Sequence, residues 1–186
     1  MRKKILRREF LAKRAAIPIA ERDRISQELI KKFLETEIYR TSKILMAYAS
    51  TPDEIQLNEL FAACFADKKI LAIPLIISKG EMLAVEVPNF AALEVGEYNI
   101  LTVKHELRKF IAPAQIDCMI VPGAAFDVHG GRLGMGGGYY DRFLPLAVNA
   151  KKIALAYDFQ LVDDLPLEPH DTKINAVMTP TRLFEN

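Results

Sequence analysis

The chain has 186 residues, 51% of them hydrophobic, which is enough to bury one sizeable core. A formal net charge of +1 gives no global attraction to nucleic acid or to an anionic membrane. Cys64 and Cys118 stand far apart in apolar runs and read as reduced core residues; no apolar run approaches a membrane span and the basic start lacks a signal-peptide core, so one cytoplasmic domain over residues 1–186 is expected.

Residues 3 to 16 predict a helix with Leu6 and Phe10 four apart on its apolar side, stopped near Ile17-Pro18 because proline disfavours helix in the residue before it. This helix is basic: Arg2, Lys3, Lys4, Arg7, Arg8, Lys13 and Arg14 stand against the single acid Glu9. A second helix follows from residue 19 to about 36, where Ile25, Leu29, Ile30 and Phe33 recur at helical spacing. Residues 42 to 49 suit a strand buried on both faces, residues 57 to 66 a helix, residues 70 to 77 another buried strand, and residues 82 to 87 a strand paired beside it. Residues 88 to 115, with their prolines and Gly96, read as loops around a short helix at 104 to 110. A strand over 116 to 121 ends at Pro122-Gly123, since proline cannot donate to a sheet ladder. After a glycine-rich segment come a helix at 139 to 148, a strand at 153 to 157, a turn-rich stretch and a last strand at 174 to 178. Alternation of β and α in this order predicts the α/β class, a mostly parallel sheet with helices on both faces and ligands at the carboxyl ends of its strands.

Seven of the nine glycines lie between Gly123 and Gly138. Glycine loses the most backbone entropy on folding, so such density points to a backbone that takes positive φ or approaches a ligand closely. With Arg132 inside the segment and a helical pattern starting near Tyr139, an anion is the expected ligand. The P-loop pattern is absent, and a GxGxxG starting at Gly134 would need glycine where Tyr139 stands. Each candidate also has a plain structural reading. The segment can be a surface connection, the basic helix a solvated face, Asp141 an acid in a first helical turn, Asp171 a turn residue, and Thr51-Pro52-Asp53-Glu54 a capping box. His105, His129 and His170 lack metal-ligand spacing with the cysteines, which argues against zinc.

The run Val121-Pro122-Gly123-Ala124-Ala125-Phe126-Asp127, followed by Gly130 to Phe143, resembles the signature of the 5-formyltetrahydrofolate cyclo-ligase family, the methenyltetrahydrofolate synthetases. The likeness extends to Lys3-Lys4-Ile5-Leu6-Arg7, to Asp53-Glu54-Ile55 after the first strand, and to His170-Asp171, so it spans nearly the whole chain in order. It implies an ATP- and Mg2+-dependent α/β enzyme that converts 5-formyltetrahydrofolate to 5,10-methenyltetrahydrofolate with release of ADP and phosphate. By this resemblance Lys3 and Arg7 contact ATP phosphates, with register leaving Lys4 as an alternative to Lys3. Arg132, Gly134, Gly136, Gly138 and Tyr139 cradle the triphosphate, Arg132 and Tyr139 being the catalytic pair, and Asp141 with Asp171 holds the magnesium. Glu54 accepts hydrogen bonds from the amino-pyrimidinone edge of the pterin, and Met46, Tyr48 and Tyr140 wall the folate ring. Asn175 stands where relatives commonly carry aspartate and is not assigned to the metal. A monomer or weak homodimer acting on a small molecule is expected, with no nucleic-acid or membrane partner. Fold alone leaves two rivals, a non-catalytic nucleotide or phosphosugar sensor on a related α/β fold and nucleic-acid binding by the basic helix.

Overall fold

The computed structural model describes residues 2–96, 100–168 and 171–185. Three helices open the chain, α1 (Arg2–Ala15), α2 (Ile19–Leu34) and α3 (Glu37–Thr41). Ile25, Leu29, Ile30 and Phe33 form one buried stripe along α2, as their spacing predicts. This helix ends before residue 36 because Thr36 caps the next one, its Oγ1 accepting from the Tyr39 N–H at 3.2 Å. Strand β1 (Ile44–Met46), helix α4 (Asn58–Ala66), β2 (Ile70–Ser78) and β3 (Glu81–Val87) follow, then β4 (Leu93–Val95), β5 (Leu101–Val103) and β6 (Phe110–Ile111). The second half carries β7 (Cys118–Ile120), β8 (Ala125–Asp127), β9 (Arg132–Leu133), α5 (Tyr139–Phe143), β10 (Lys151–Leu155), β11 (Leu161–Val162), β12 (Ala176–Met178) and β13 (Leu183–Glu185). No described helix is long and apolar enough to cross a membrane.

Eight strands form one sheet in the order β13-β12-β10-β7-β1-β2-β3-β6. From β12 to β2 the neighbours run parallel, while β13, β3 and β6 join antiparallel at the edges. The two-residue period of a strand sorts the side chains. Leu45, Leu71, Cys118 and Ile153 pack with Leu29 and Phe33 of α2 and Leu60 of α4. Met46, Ala72, Met119 and Ala154 face the other way, against Phe143, Leu144 and Ala147. Burial on both faces explains why these strands read as unbroken apolar runs, and the α/β architecture is the one expected.

Several local expectations fail for identifiable reasons. Within residues 88 to 115 the described residues form an antiparallel β4–β5 hairpin and the edge strand β6, and the helix expected at 104 to 110 is a single 3-10 turn, His105–Leu107. The helix expected to reach residue 148 stops at Phe143, since Pro145 has no N–H to continue the ladder. The glycine-rich segment is not a bare loop either, for it contributes two strands to a second sheet ordered β11-β8-β9. Asp127 builds that sheet's turn: its carboxylate, 1% exposed, accepts from the N–H groups of His129, Gly131 and Leu165 at 2.9, 2.7 and 3.1 Å. A Cβ at residue 131 would lie 2.2 Å from Asp127 Oδ2, so glycine is required there. Phe10 of α1, buried with Ala124, Ala125, Leu133 and Leu165, seats the first helix on this small sheet. In the large sheet the strand order reverses between β1 and β7, and such a switch point opens a crevice at the carboxyl ends.

Candidate active site

Tyr48 and Glu54 lie beyond the carboxyl end of β1 and Pro122 beyond that of β7, and all three line an apolar lobe of about 630 Å³. A second, cationic lobe of about 450 Å³ is lined by Lys3, Arg7, Arg132, Asp141 and Asp171. The two meet at Arg132, Gly134, Gly136, Gly138 and Asp141, which line both.

Helix α1 delivers its cations by spacing, because Lys3, Arg7, Phe10 and Arg14 fall on one helical face. Arg7 Nε donates to the Gly134 carbonyl at 2.6 Å. Lys3 Nζ lies 2.5 Å from Asp171 Oδ2 and 3.1 Å from Glu168 Oε2. Burial opposes the charge on Lys3, but these carboxylates outweigh it and raise its pKa. They also offset the unfavourable position of a cation in a first helical turn. Lys4 is exposed and lines neither lobe, because one residue's rotation of about 100° takes it off the face; Lys3 is the residue at the cleft.

Gly136 and Gly138, at φ +100° and +67°, turn the backbone into the left-handed region. Across residues 134 to 140 the backbone N–H groups find no backbone acceptor among the described residues. Free donors beside fixed cations suit an anion. Arg132 lies in β9, only 5% exposed, with Nη2 2.5 Å from Asp141 Oδ1 and Nη1 donating to the Pro122 carbonyl at 3.2 Å. Its Nε and the Tyr140 hydroxyl are buried and have no partner among the described residues. Burial pushes the Tyr140 hydroxyl pKa up, with the Glu54 carboxylate adding to the rise. Unsatisfied donors on Arg132, which lines both lobes, and on Tyr140 of the apolar one mark a place for ligand acceptors.

Glu54 is 8% exposed. Its Oε2 accepts from the Thr51 N–H at 2.9 Å and its Oε1 lies 3.6 Å from Arg14 Nη1. Burial raises its pKa, with the Thr51 N–H and the Arg14 charge pulling the other way. The expected capping box survives only in that Thr51 contact. No helix starts between Thr51 and Leu57, the next one beginning at Asn58, and Thr51 Oγ1 donates to Asp53. Tyr48, Tyr139 and Tyr140 line the apolar lobe, and Tyr139 is not among the residues of the cationic one. Met46 does not reach the cleft: it lies within β1 rather than beyond it, 1% exposed in the core.

Two further arginines, neither given a site role by the resemblance, stand at the cleft. Arg14, 5% exposed, places Nε 2.9 Å from Asp53 Oδ2. Arg142 donates from Nε to the Gly80 carbonyl at 2.6 Å and from Nη2 to the Gly137 carbonyl at 2.7 Å. Spacing with Lys3 and Arg7 could have singled out Arg14, whereas Arg142 carries no such signal. Among the described residues no group of three or more His, Cys, Asp or Glu side chains could hold a metal, and Asp141 and Asp171 are each ion-paired. The Asn175 side chain is engaged elsewhere, its Oδ1 accepting from the Lys152 N–H at 2.8 Å. His170 lies outside the described residues.

A mostly parallel sheet whose switch point opens into joined cationic and apolar lobes defines an α/β protein with a two-compartment cleft at the carboxyl ends of its strands. Residues 1–180 match the 5-formyltetrahydrofolate cyclo-ligase family, and the chain belongs to that family. It is 27% identical over 177 residues to the 5-formyltetrahydrofolate cyclo-ligase of Escherichia coli K12, covering 93% of this chain and 97% of that one. Against the Mycoplasma pneumoniae 5-formyltetrahydrofolate cyclo-ligase the identity is 29% over 181 residues, covering 96% and 98%. The solved structure of Aquifex aeolicus 5,10-methenyltetrahydrofolate synthetase matches with a TM-score of 0.89 at 31% identity, over 100% of this chain and 93% of that one. A 5,10-methenyltetrahydrofolate synthetase structure from Mycoplasma pneumoniae matches at 0.78 and 26%, over 97% and 99%. Membership makes the protein an enzyme of the ligase class and displaces the reading as a non-catalytic sensor.

Proposed function

We propose that the protein converts 5-formyltetrahydrofolate to 5,10-methenyltetrahydrofolate, consuming ATP with Mg2+ and releasing ADP and phosphate. The observation that carries the reading is the junction of the lobes, where five residues line both a cationic and an apolar compartment. Each compartment has the volume of an ordinary small-molecule site.

A formyl amide oxygen is a poor leaving group. Transfer of a phosphoryl group to it lets nitrogen 10 of the same folate attack the activated carbon, with loss of the nitrogen 10 proton and departure of phosphate. Because the attack is intramolecular, no enzymic nucleophile is required. Position and charge are what the chain supplies. Lys3 and Arg7 neutralise the phosphates, with the N–H groups of the glycine segment as further donors. Arg132, lining both lobes, meets the phosphoryl group in transit, and Tyr139 bounds the apolar side of that junction. Glu54 accepts the amino-pyrimidinone edge of the pterin, and Tyr48 and Tyr140 flank its ring. The donor set fits magnesium, which takes one or two carboxylates together with phosphate oxygens and water, since Asp141 and Asp171 line the cationic lobe. When bound, the ion adds charge neutralisation at the transferred phosphate.

Purified protein given 5-formyltetrahydrofolate, ATP and Mg2+ should develop the ultraviolet absorbance of the methenyl product, with one phosphate released per turnover. No signal, or one indifferent to ATP, rejects the reading. Arg132→Ala should lower kcat/KM by roughly 100-fold while circular dichroism stays native.

A further inference from the structure

We infer that Arg14 is a positioning residue for folate recognition, holding the Glu54 carboxylate ionised and aimed into the apolar lobe. The inference rests on the proposed contact between Glu54 and the pterin.

A guanidinium as buried as that of Arg14 is retained only where partners compensate its lost hydration. Its partners are Asp53, at 2.9 Å from Nε, and Glu54, at 3.6 Å from Nη1. Two carboxylates against one cation leave the cluster with an excess negative charge at the edge of an apolar lobe. Asp53 is itself steadied, accepting from Thr51 Oγ1 at 2.9 Å, so the arginine is anchored at Nε independently of its Nη1 approach to Glu54. Glu54 Oε2 is fixed by the Thr51 N–H, and Arg14 faces the other oxygen, so the plane of the carboxylate is set from both ends. The amino-pyrimidinone edge of a pterin presents N–H donors, and only an ionised carboxylate is acceptor at both oxygens. A protonated Glu54 would meet donor with donor. Besides Arg14 and Asp53, the hydroxyls of Tyr48, Tyr140 and Tyr157 sense the charge on Glu54. All three are neutral and none can replace the arginine's charge.

The experiment compares Arg14→Gln, Arg14→Lys and Glu54→Gln with the unchanged enzyme, reading kcat, the KM of each substrate, the pH profile and the melting temperature. Arg14→Gln should raise the KM for 5-formyltetrahydrofolate roughly ten-fold or more and leave the KM for ATP within about two-fold. The acid limb of the folate kcat/KM profile should move to higher pH, and Arg14→Lys, which keeps the charge, should restore the limb while recovering only part of the KM. Unchanged folate KM in a folded Arg14→Gln enzyme, or equal losses for both substrates, overturns the inference. Failure of both Arg14 variants to fold also overturns it, by making the residue one of stability alone. Glu54→Gln separates the two levels: if it leaves the folate KM unchanged, the pterin contact itself is wrong. If it raises the KM and Arg14→Gln does not, only the role of Arg14 falls.

Discussion

A hydroxyl buried without a hydrogen-bond partner destabilises a fold, so the Tyr140 hydroxyl is best explained by what it meets in the complex. Its ring lines the apolar lobe 5.7 Å from the guanidinium of Arg132, a residue that lines both lobes. Tyr140→Phe removes the desolvation penalty and breaks no bond among the described residues, so stability should hold or rise by about 1 kcal/mol. The KM for 5-formyltetrahydrofolate should rise several-fold; a lower melting temperature with unchanged KM would point to packing alone. Arg142 acts differently. By donating to Gly80 and Gly137 it ties the glycine segment to the β2–β3 turn, whose strands supply Pro74, Ile76 and Met82 to the apolar lobe. A Cβ at residue 80 would sit 2.5 Å from Arg142 Nη2, and the backbone there is at φ +88°. Gly80→Ala and Arg142→Ala should therefore each raise the KM of both substrates, by about ten-fold, with native circular dichroism. Loss confined to ATP would instead make Arg142 a phosphate ligand. Arg142 was not legible in the sequence and Arg14 only through its spacing with Lys3 and Arg7, because a basic residue on a helix reads as solvated face until its burial and partners are known. Arg132 was legible because a charge among glycines has no such innocent reading.

At the scale of elements, α1 reaches both lobes, with Lys3 and Arg7 at the cationic one and Arg14 at the apolar one. Eleven helical steps lead from Lys3 to Arg14, a span of about 16 Å. Side chains seat this helix: Phe10 packs into the small sheet and stacks on Phe159 at 6.5 Å between ring centroids. A rigid rod gripped at both ends couples what it grips, so each substrate should tighten the other reciprocally, by about five-fold or more. Dissociation constants for 5-formyltetrahydrofolate with and without a non-hydrolysable ATP analogue measure this, and equal values would refute it. Phe10→Ala should bring the ratio toward one. The helical spacing of α1 and α2 and the buried strands of the large sheet could be read from sequence, since each carries its own period or apolar run. Strands β8, β9 and β11 could not, for they have two or three residues each and are held by the Asp127 carboxylate across 38 positions to Leu165. The core position of Met46 is hidden in the sequence for a related reason: an apolar residue near a strand end packs in the core or walls a ligand according to where the strand stops.

For the whole molecule, pH separates the site from the fold. Burial works against the ionised forms of Asp53 and Asp158, but Arg14 beside the first and the Thr179 and Thr181 hydroxyls beside the second bring both pKa values below 3.8. Stabilisation from such depressed carboxyls is present above 3.8 and is lost as pH falls through the folded value. Lys3, raised above 10.5, stabilises below that pH and loses its contribution as pH climbs through its folded value. Glu54 has the opposite sign to Asp53. Raised above 4.5 by burial, it favours folding most when protonated, so its contribution is full below 4.5 and is lost as pH rises through the folded value. Acidification therefore protonates the carboxylate of the apolar lobe before those of Asp53 and Asp158. On lowering the pH from about 7, binding of 5-formyltetrahydrofolate should fall with a midpoint above 4.5, while far-ultraviolet circular dichroism stays native through that midpoint. Glu54→Gln should abolish the binding midpoint and leave the unfolding transition in place. If affinity and ellipticity fell together at one midpoint, the folate site would be following global unfolding, and the ionisation of Glu54 would have no part in recognition.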